Sequence, residues 1–229
     1  VVTTSSPIHV NGREFELVIF DHDGVLVDSE ILAMTAIQEL LADHELPLDL
    51  DTAFGMFLGS PFDKVIDYLQ RHVPGIDRES IDRRFHSRLF ELFVEFLQPI
   101  PDMPSLVNSL KSRGAALAIA SSGTSERVTL GITQTGLGDS FDAGSIFTKD
   151  QVKRGKPEPD VFLLAANSLG IDPARCLVIE DSPHGVQAAK RAGMFVIGLS
   201  FRTPAKDLHE ADLVLGSASE VLELLSSTA

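Results

Sequence analysis

A single cysteine, Cys176, is all that the 229 residues contain. That excludes an internal disulfide framework and fits a reducing compartment. Its place in the apolar stretch Cys176–Ile179 marks it as a buried structural residue rather than a reactive thiol. Basic residues are few as well: 19 Lys and Arg stand against 33 Asp and Glu, a formal net charge of −14. Nucleic acid and anionic membranes are therefore poor partners, because binding either needs clustered cations. A small anionic substrate stays compatible, since local charge matters more than the total. No apolar run approaches the roughly 18 residues that would span a bilayer. The opening VVTTSSPIHVNGRE has no charged start followed by an apolar block, so no signal peptide is expected there, and a cytoplasmic protein is. Zinc-type His/Cys spacings, internal repeats and low-complexity segments are also missing.

What is present is a core-forming chain, 44% hydrophobic and 23% charged. Its most informative stretch is FELVIFDHDGVLVDSE, Phe15 to Glu30. The apolar run Leu17–Phe20 suits a strand buried on both faces, and it ends in Asp21 and Asp23, followed by Gly24. Residues 1–14 read as a loose lead-in. From residue 30 to 97 the pattern is helical: one helix over Glu30–His44, one starting at Ser60–Pro61 and running to about His72, and a long one over Asp77–Leu97. Pro47, Asp49 and Asp51 read as breakers between the first two. Pro99, Pro101 and Pro104 mark a boundary. Beyond it strands alternate with helices, with apolar strands at Ala115–Ala120, Gly144–Phe147, Cys176–Ile179, Phe195–Leu199 and Leu213–Leu215. This alternation predicts an α/β fold: a Rossmann-like parallel-sheet core, residues 1–28 and 99–229, with an all-helical block, residues 29–98, inserted after the first strand.

Three strands end in polar residues: Asp21 and Asp23, Ser121 and Ser122, Glu180 and Asp181. In a parallel sheet these ends share one edge, where such sheets bind ligands. A basic loop, Lys153-Arg154-Gly155-Lys156-Pro157, precedes a helix. Clustered carboxylates repel unless a cation neutralises them. An all-oxygen set favours Mg²⁺, which keeps substrate phosphate and water in its octahedron. A phosphate enzyme needs groups of these types. One carboxylate attacks phosphorus, a second acid handles the proton, and a lysine with hydroxyl or amide donors holds the phosphoryl oxygens. Gly24 would let the backbone turn closely around a phosphate.

FDHDGVLVDSE, ASSGT, GKPEPDVF and VIEDSPHGVQAAKRAG together resemble the four motifs of the haloacid dehalogenase superfamily, and most nearly its sugar-phosphatase and β-phosphoglucomutase-like branch. The resemblance spans nearly the whole chain. It implies a Rossmann-like core with a mobile cap inserted after the first motif. It implies Asp21 as nucleophile, Asp23 as general acid/base, and Ser121 as a phosphoryl ligand, with Ser122 and Gly24 beside it. Lys156 would link nucleophile and phosphate. Asp181 would hold Mg²⁺ with the Asp21 carboxylate and the Asp23 carbonyl, and Glu180 would bind the metal directly or through water.

The dehalogenases of the family lack the second aspartate, so Asp23 argues for phosphate chemistry. The mutases carry a histidine in the first cap helix, where Ala33 stands here, and an arginine in the cap loop, where Phe62 stands. The expectation is a Mg²⁺-dependent phosphatase acting on a small phosphorylated metabolite, a sugar or sugar-acid phosphate, as a monomer. A phosphomutase and a non-catalytic phosphate-binding module are the alternatives. Phe57, Leu58, Phe62 and Lys64, in the cap loop, are assigned to substrate specificity. His22, between the two aspartates, has no explanation at this level.

Overall fold

The computed structural model describes residues 7–58, 60 and 62–226. It divides into two compact units, one made of the residues up to Val27 together with those from Pro99 onward, the other of Asp28–Gln98.

The first unit opens with a hairpin where a loose lead-in was expected. Strands β1 (Ile8–Val10) and β2 (Arg13–Phe15) pair antiparallel, Ile8 opposite Phe15. Asn11 and Gly12 join them, both at positive φ (50° and 74°). Asn-Gly is the pair that a tight hairpin turn demands, because both central residues must be left-handed. Ile8, Val10 and Phe15 are buried, Phe15 with its ring centre 5.3 Å from that of Phe195. Residues 1–6 of that lead-in lie outside the described residues. Strand β3 (Leu17–Phe20) follows, all four residues buried.

The second unit is helical throughout: α1 (Glu30–Ala42), α2 (Leu50–Phe57), α3 (Asp63–His72) and α4 (Arg78–Phe96). Helix α2 forms where Asp49 and Asp51 were read as breakers. Asp49 is instead its N-cap, its carboxylate accepting from the Thr52 N–H at 2.8 Å. A side-chain oxygen there satisfies a donor that the first turn leaves unpaired. The Ser60–Pro61 start expected for α3 falls partly outside the described residues, as do Gly59 and Pro61; the residue that precedes the helix is Phe62. Helices α1 and α4 pack through Met34, Ile37, Leu40 and Leu41 against an apolar row of Ile81, Phe85, Leu89 and Phe93. Arg88 clamps the pair with two bonds to Glu39, at 2.6 and 3.1 Å.

Back in the first unit come α5 (Met103–Ser112), β4 (Ala116–Ser121), α6 (Ser125–Gln134), β5 (Ile146–Thr148), α7 (Asp160–Leu169), β6 (Cys176–Glu180), α8 (Pro183–Arg191), β7 (Phe195–Leu199), β8 (Leu213–Leu215) and α9 (Ala218–Ser226). Six strands form one parallel sheet in the order β5-β4-β3-β6-β7-β8. This is the doubly wound, Rossmann-like arrangement. The chain builds outward from β3 in one direction, then returns to β6 and builds in the other. The carboxyl ends of β3 and β6 flank that reversal, which is where such sheets leave a crevice for a ligand. Register puts Phe20 level with Ile119 and Ile179, so Asp21, Ser121 and Glu180 emerge at nearly the same height. Phe162, Ala165, Val178, Val186, Val196 and their neighbours fill the space between the sheet and its helices.

Candidate active site

Asp21 follows the last residue of β3 and continues its ladder for one bond, its N–H donating to the Ile179 carbonyl at 3.0 Å. The chain then turns hard. The His22 carbonyl accepts from the N–H groups of Leu26 and Val27, at 3.0 and 3.1 Å, and the Gly24 N–H donates to the Val27 carbonyl at 2.9 Å. Gly24 sits in the left-handed region at φ 79°, which glycine adopts without strain. It is needed for a second reason: a Cβ there would lie 2.7 Å from the Asp181 Cγ and closer still to Oδ2. The turn thus holds the Asp181 carboxylate against the backbone that carries Asp21 and Asp23.

Lys156 is the centre of the polar set. Its Nζ donates to Asp21 Oδ1 at 2.5 Å, Glu180 Oε1 at 2.7 Å and the Ala120 carbonyl at 2.9 Å. It also lies 4.8 Å from the centre of the Phe162 ring. The three donors of an ammonium are thereby all used. Its side chain is 4% exposed, that of Asp21 9% and that of Glu180 1%. Burial by itself would push the lysine pKa down. The Asp21 and Glu180 carboxylates outweigh it and hold the ammonium above the ordinary lysine range. Burial pushes the Asp21 carboxyl up, Lys156 pulls it back, Glu180 and Asp23 push again, and it settles at about 6.

The remaining residues named from the sequence are placed as follows. Ser121 ends β4 and is buried, its Oγ accepting from the Gly123 N–H at 2.9 Å. Ser122 beside it is exposed. Glu180 spends its second oxygen on Ser182, accepting from N–H at 2.7 Å and from the hydroxyl at 3.0 Å. In the helical unit, Phe57 is buried edge-on to Tyr68 with ring centres 5.8 Å apart. Phe62 stacks on Phe85 at 4.0 Å. Leu58 is half-buried, and the exposed Lys64 donates to Ser60 Oγ at 3.3 Å.

Sequence reasoning missed Arg127. It stands in the first turn of α6, and its guanidinium Nη2 donates to Asp23 Oδ1 at 2.7 Å. The signal was its position one turn after ASSGT, on the helix that the motif launches. His22 now has a place: it is wholly buried, with Nδ1 3.4 Å from Asp23 Oδ1 and its far edge against Gly131 of α6.

Among the described residues, no three His, Cys, Asp or Glu side chains converge as a ready-made metal cage. Asp21 and Asp181 directly follow the ends of β3 and β6, and their carboxylates are oxygen donors. A pair of carboxylates with open positions fits a hard divalent cation that keeps phosphate and water as further ligands. Glu180, bonded to Lys156 and Ser182, is the carboxylate least disposed to join them.

A doubly wound core with a buried acid–lysine–acid set at the reversal of its strand order suits the handling of a phosphate group. The chain belongs to the haloacid dehalogenase-like hydrolases, whose family model matches residues 18–199. It is 31% identical to the validoxylamine A 7′-phosphate phosphatase of Streptomyces hygroscopicus subsp. limoneus, over 90% of this chain and 96% of that one. It is 30% identical to hexitol phosphatase B of Escherichia coli, over 91% and 95%. Among solved structures, a family hydrolase from Deinococcus radiodurans with bound phosphate and sodium superposes with a TM-score of 0.77 at 32% identity, over 93% of this chain and 96% of that one. The protein is a phosphoric monoester hydrolase. Among the described residues no helix is long and apolar enough to cross a membrane.

Proposed function

We propose that the chain is a Mg²⁺-dependent phosphatase of a small phosphorylated sugar or sugar acid, acting through an aspartyl phosphate on Asp21. The observation that carries this is the Lys156 bond to Asp21 Oδ1 at 2.5 Å in a buried setting. A lysine so placed keeps the attacking carboxylate oriented and supplies a fixed positive charge beside the arriving phosphate. In low dielectric, such preorganised charge is worth far more than it is in water.

In the first step an Asp21 oxygen bonds to phosphorus as the bond from phosphorus to the sugar oxygen breaks. That oxygen takes a proton from the Asp23 carboxyl. In the second step a water oxygen attacks phosphorus, gives its proton back to Asp23, and displaces Asp21 as free carboxylate with inorganic phosphate released. Asp23 thus ends each cycle protonated, as it began. The Ser121 hydroxyl, the Lys156 ammonium and backbone N–H groups of the two strand-end turns would hold the phosphoryl oxygens. Mg²⁺, held by the Asp21 and Asp181 carboxylates and the Asp23 carbonyl, would neutralise phosphate charge and orient the phosphoryl group for attack. The substrate class is supported by the relatives named hexitol phosphatase B and validoxylamine A 7′-phosphate phosphatase. Selectivity is assigned to the helical unit, at Phe57, Leu58, Phe62 and Lys64.

The test is phosphate release from a panel of sugar phosphates with Mg²⁺ and with EDTA, following isomerisation of each substrate alongside. Metal-dependent release without isomerisation is expected, and none in Asp21→Asn. Full activity in that variant or in EDTA would discard the mechanism, and isomerisation would turn the assignment to a mutase.

A further inference from the structure

Helix α6 presents two residues to the loop that carries the acid pair. Arg127 and Gly131 are one turn apart, so they lie on the same helical face. The Arg127 guanidinium meets Asp23 Oδ1 at 2.7 Å, with side chains 17% and 26% exposed. The His22 ring, wholly buried behind Asp23, has its Nδ1 3.4 Å from the same oxygen, beyond a proper hydrogen bond. Gly131 has no side chain where the ring passes. A Cβ there would lie 2.7 Å from His22 Cε1 and closer to Nε2. Bulk at 22 and its absence at 131 therefore set how closely α6 approaches the loop, and at that depth Arg127 reaches Asp23. Nothing about Asp21 or Lys156 needs Arg127: their bonds run to Glu180 and Ala120 on other elements.

From this geometry we infer that Arg127 is a positioning residue for Asp23, fixing one carboxylate oxygen so that proton transfer to the leaving oxygen and from the attacking water occurs at a set place. The inference rests on the aspartyl-phosphate reading and adds to it a residue that serves the proton-transfer half of the chemistry alone. The alternative for the same ion pair is a resting latch that must release before turnover. The two differ in sign: loss of a positioning residue slows the reaction, and loss of a latch speeds it.

The experiment compares wild type, Arg127→Gln and Arg127→Lys on two substrates. Sorbitol 6-phosphate loses an alkoxide, which must be protonated as it leaves. p-Nitrophenyl phosphate loses a phenolate stable without a proton, so forming its aspartyl phosphate needs no acid, while hydrolysing that intermediate still needs the base. For Arg127→Gln, turnover of sorbitol 6-phosphate is expected to fall by about 10²-fold, within the range general acid–base catalysis supplies. With p-nitrophenyl phosphate the same variant should release a rapid burst of about one nitrophenolate per enzyme, then turn over slowly, because phosphorylation is kept and water attack is impaired. Arg127→Lys should recover part of the loss. Binding of Mg²⁺ with beryllium fluoride, which occupies the phosphoryl site, should be unchanged in both variants.

Equal losses on both substrates without a burst, lost beryllium fluoride binding, unchanged rates or faster rates each overturn the positioning role, the last in favour of a latch. Wild type is also quenched and searched for phosphate on Asp21. Failure to form it removes the mechanistic reading beneath, whereas a wild type that forms it beside an unaltered Arg127→Gln overturns only the role of Arg127.

Discussion

Glu180 and Gly185 occupy adjoining space so tightly that a Cβ on the glycine would lie inside contact distance of the whole Glu180 carboxylate. Glycine in the first turn of α8 is therefore a condition for the acid to reach Lys156. Gly185→Ala should drive the carboxylate from its bonds to Lys156 and Ser182, at an overpacking cost of about 1–3 kcal/mol. Activity and the thermal midpoint should fall together. Gly144→Ala, where nothing lies within 4 Å, is the control and should change neither.

Lys156 is flanked by two buried carboxylates, and removing it leaves both without compensation. Lys156→Met should lose turnover and about 3–5 kcal/mol of stability, the usual consequence of breaking a buried ion pair from one side. Adding Glu180→Gln removes one of the stranded charges. The double variant should regain stability in a urea titration and remain inactive, because Asp21 still lacks its cation. If the double variant is no more stable than the single, Glu180 is not paired through Lys156 in solution.

The contact between His22 and Gly131 is tested by a cycle of its own. Gly131→Ala alone should destabilise by about 1–3 kcal/mol, the range for an inserted methyl with no room. In a His22→Ala background the same change should cost little, since the ring it would strike is gone. Additive effects in the cycle would mean that the two residues do not touch.

Cys176 offers a check on burial and on pH. The thiol is fully buried, and that burial, with Asp172 and Glu16 nearby, pushes its pKa up to about 12. A raised thiol pKa means the neutral form persists to high pH. At pH 8 thiolate should be on the order of 10³ scarcer than in free cysteine. Alkylation by iodoacetamide should be negligible in the folded protein and rapid in urea. Fast modification of the native state would contradict the packing around β6.

The core was legible because its elements are written in local patterns. Leu17–Phe20 and Cys176–Ile179 are unbroken apolar runs, and a strand covered on both faces reads that way. The polar residues at their ends followed from topology alone. The hairpin at Ile8–Phe15 is written only in its Asn-Gly, because strands of three residues are too short to show an alternation. Helix α2 was missed because an aspartate reads as a breaker inside a helix and as a cap at its start; Asp49 is the second. Arg127 carries a positional signal, one turn after ASSGT, but what it and Gly131 touch is not written locally. Their partners, Asp23 and His22, are more than a hundred residues earlier, and only the approach of α6 to the loop after β3 pairs them.

The chain leaves the core at Val27 and comes back at Pro99, and those two residues bridge each other antiparallel. One step farther out, the Asp28 N–H donates to the Gln98 carbonyl at 2.9 Å. Departure and return are thus already zipped, and the loop-closure entropy of the long excursion between them is met at its base. Since that entropy grows only slowly with loop length, excursions of very different size cost the core nearly the same. Replacing Asp28–Gln98 by a short turn would leave every strand pairing of the sheet in place. The strands that carry Asp21, Ser121 and Glu180 find their partners within the core sheet, so the length of the insert is uncoupled from the register of the sheet.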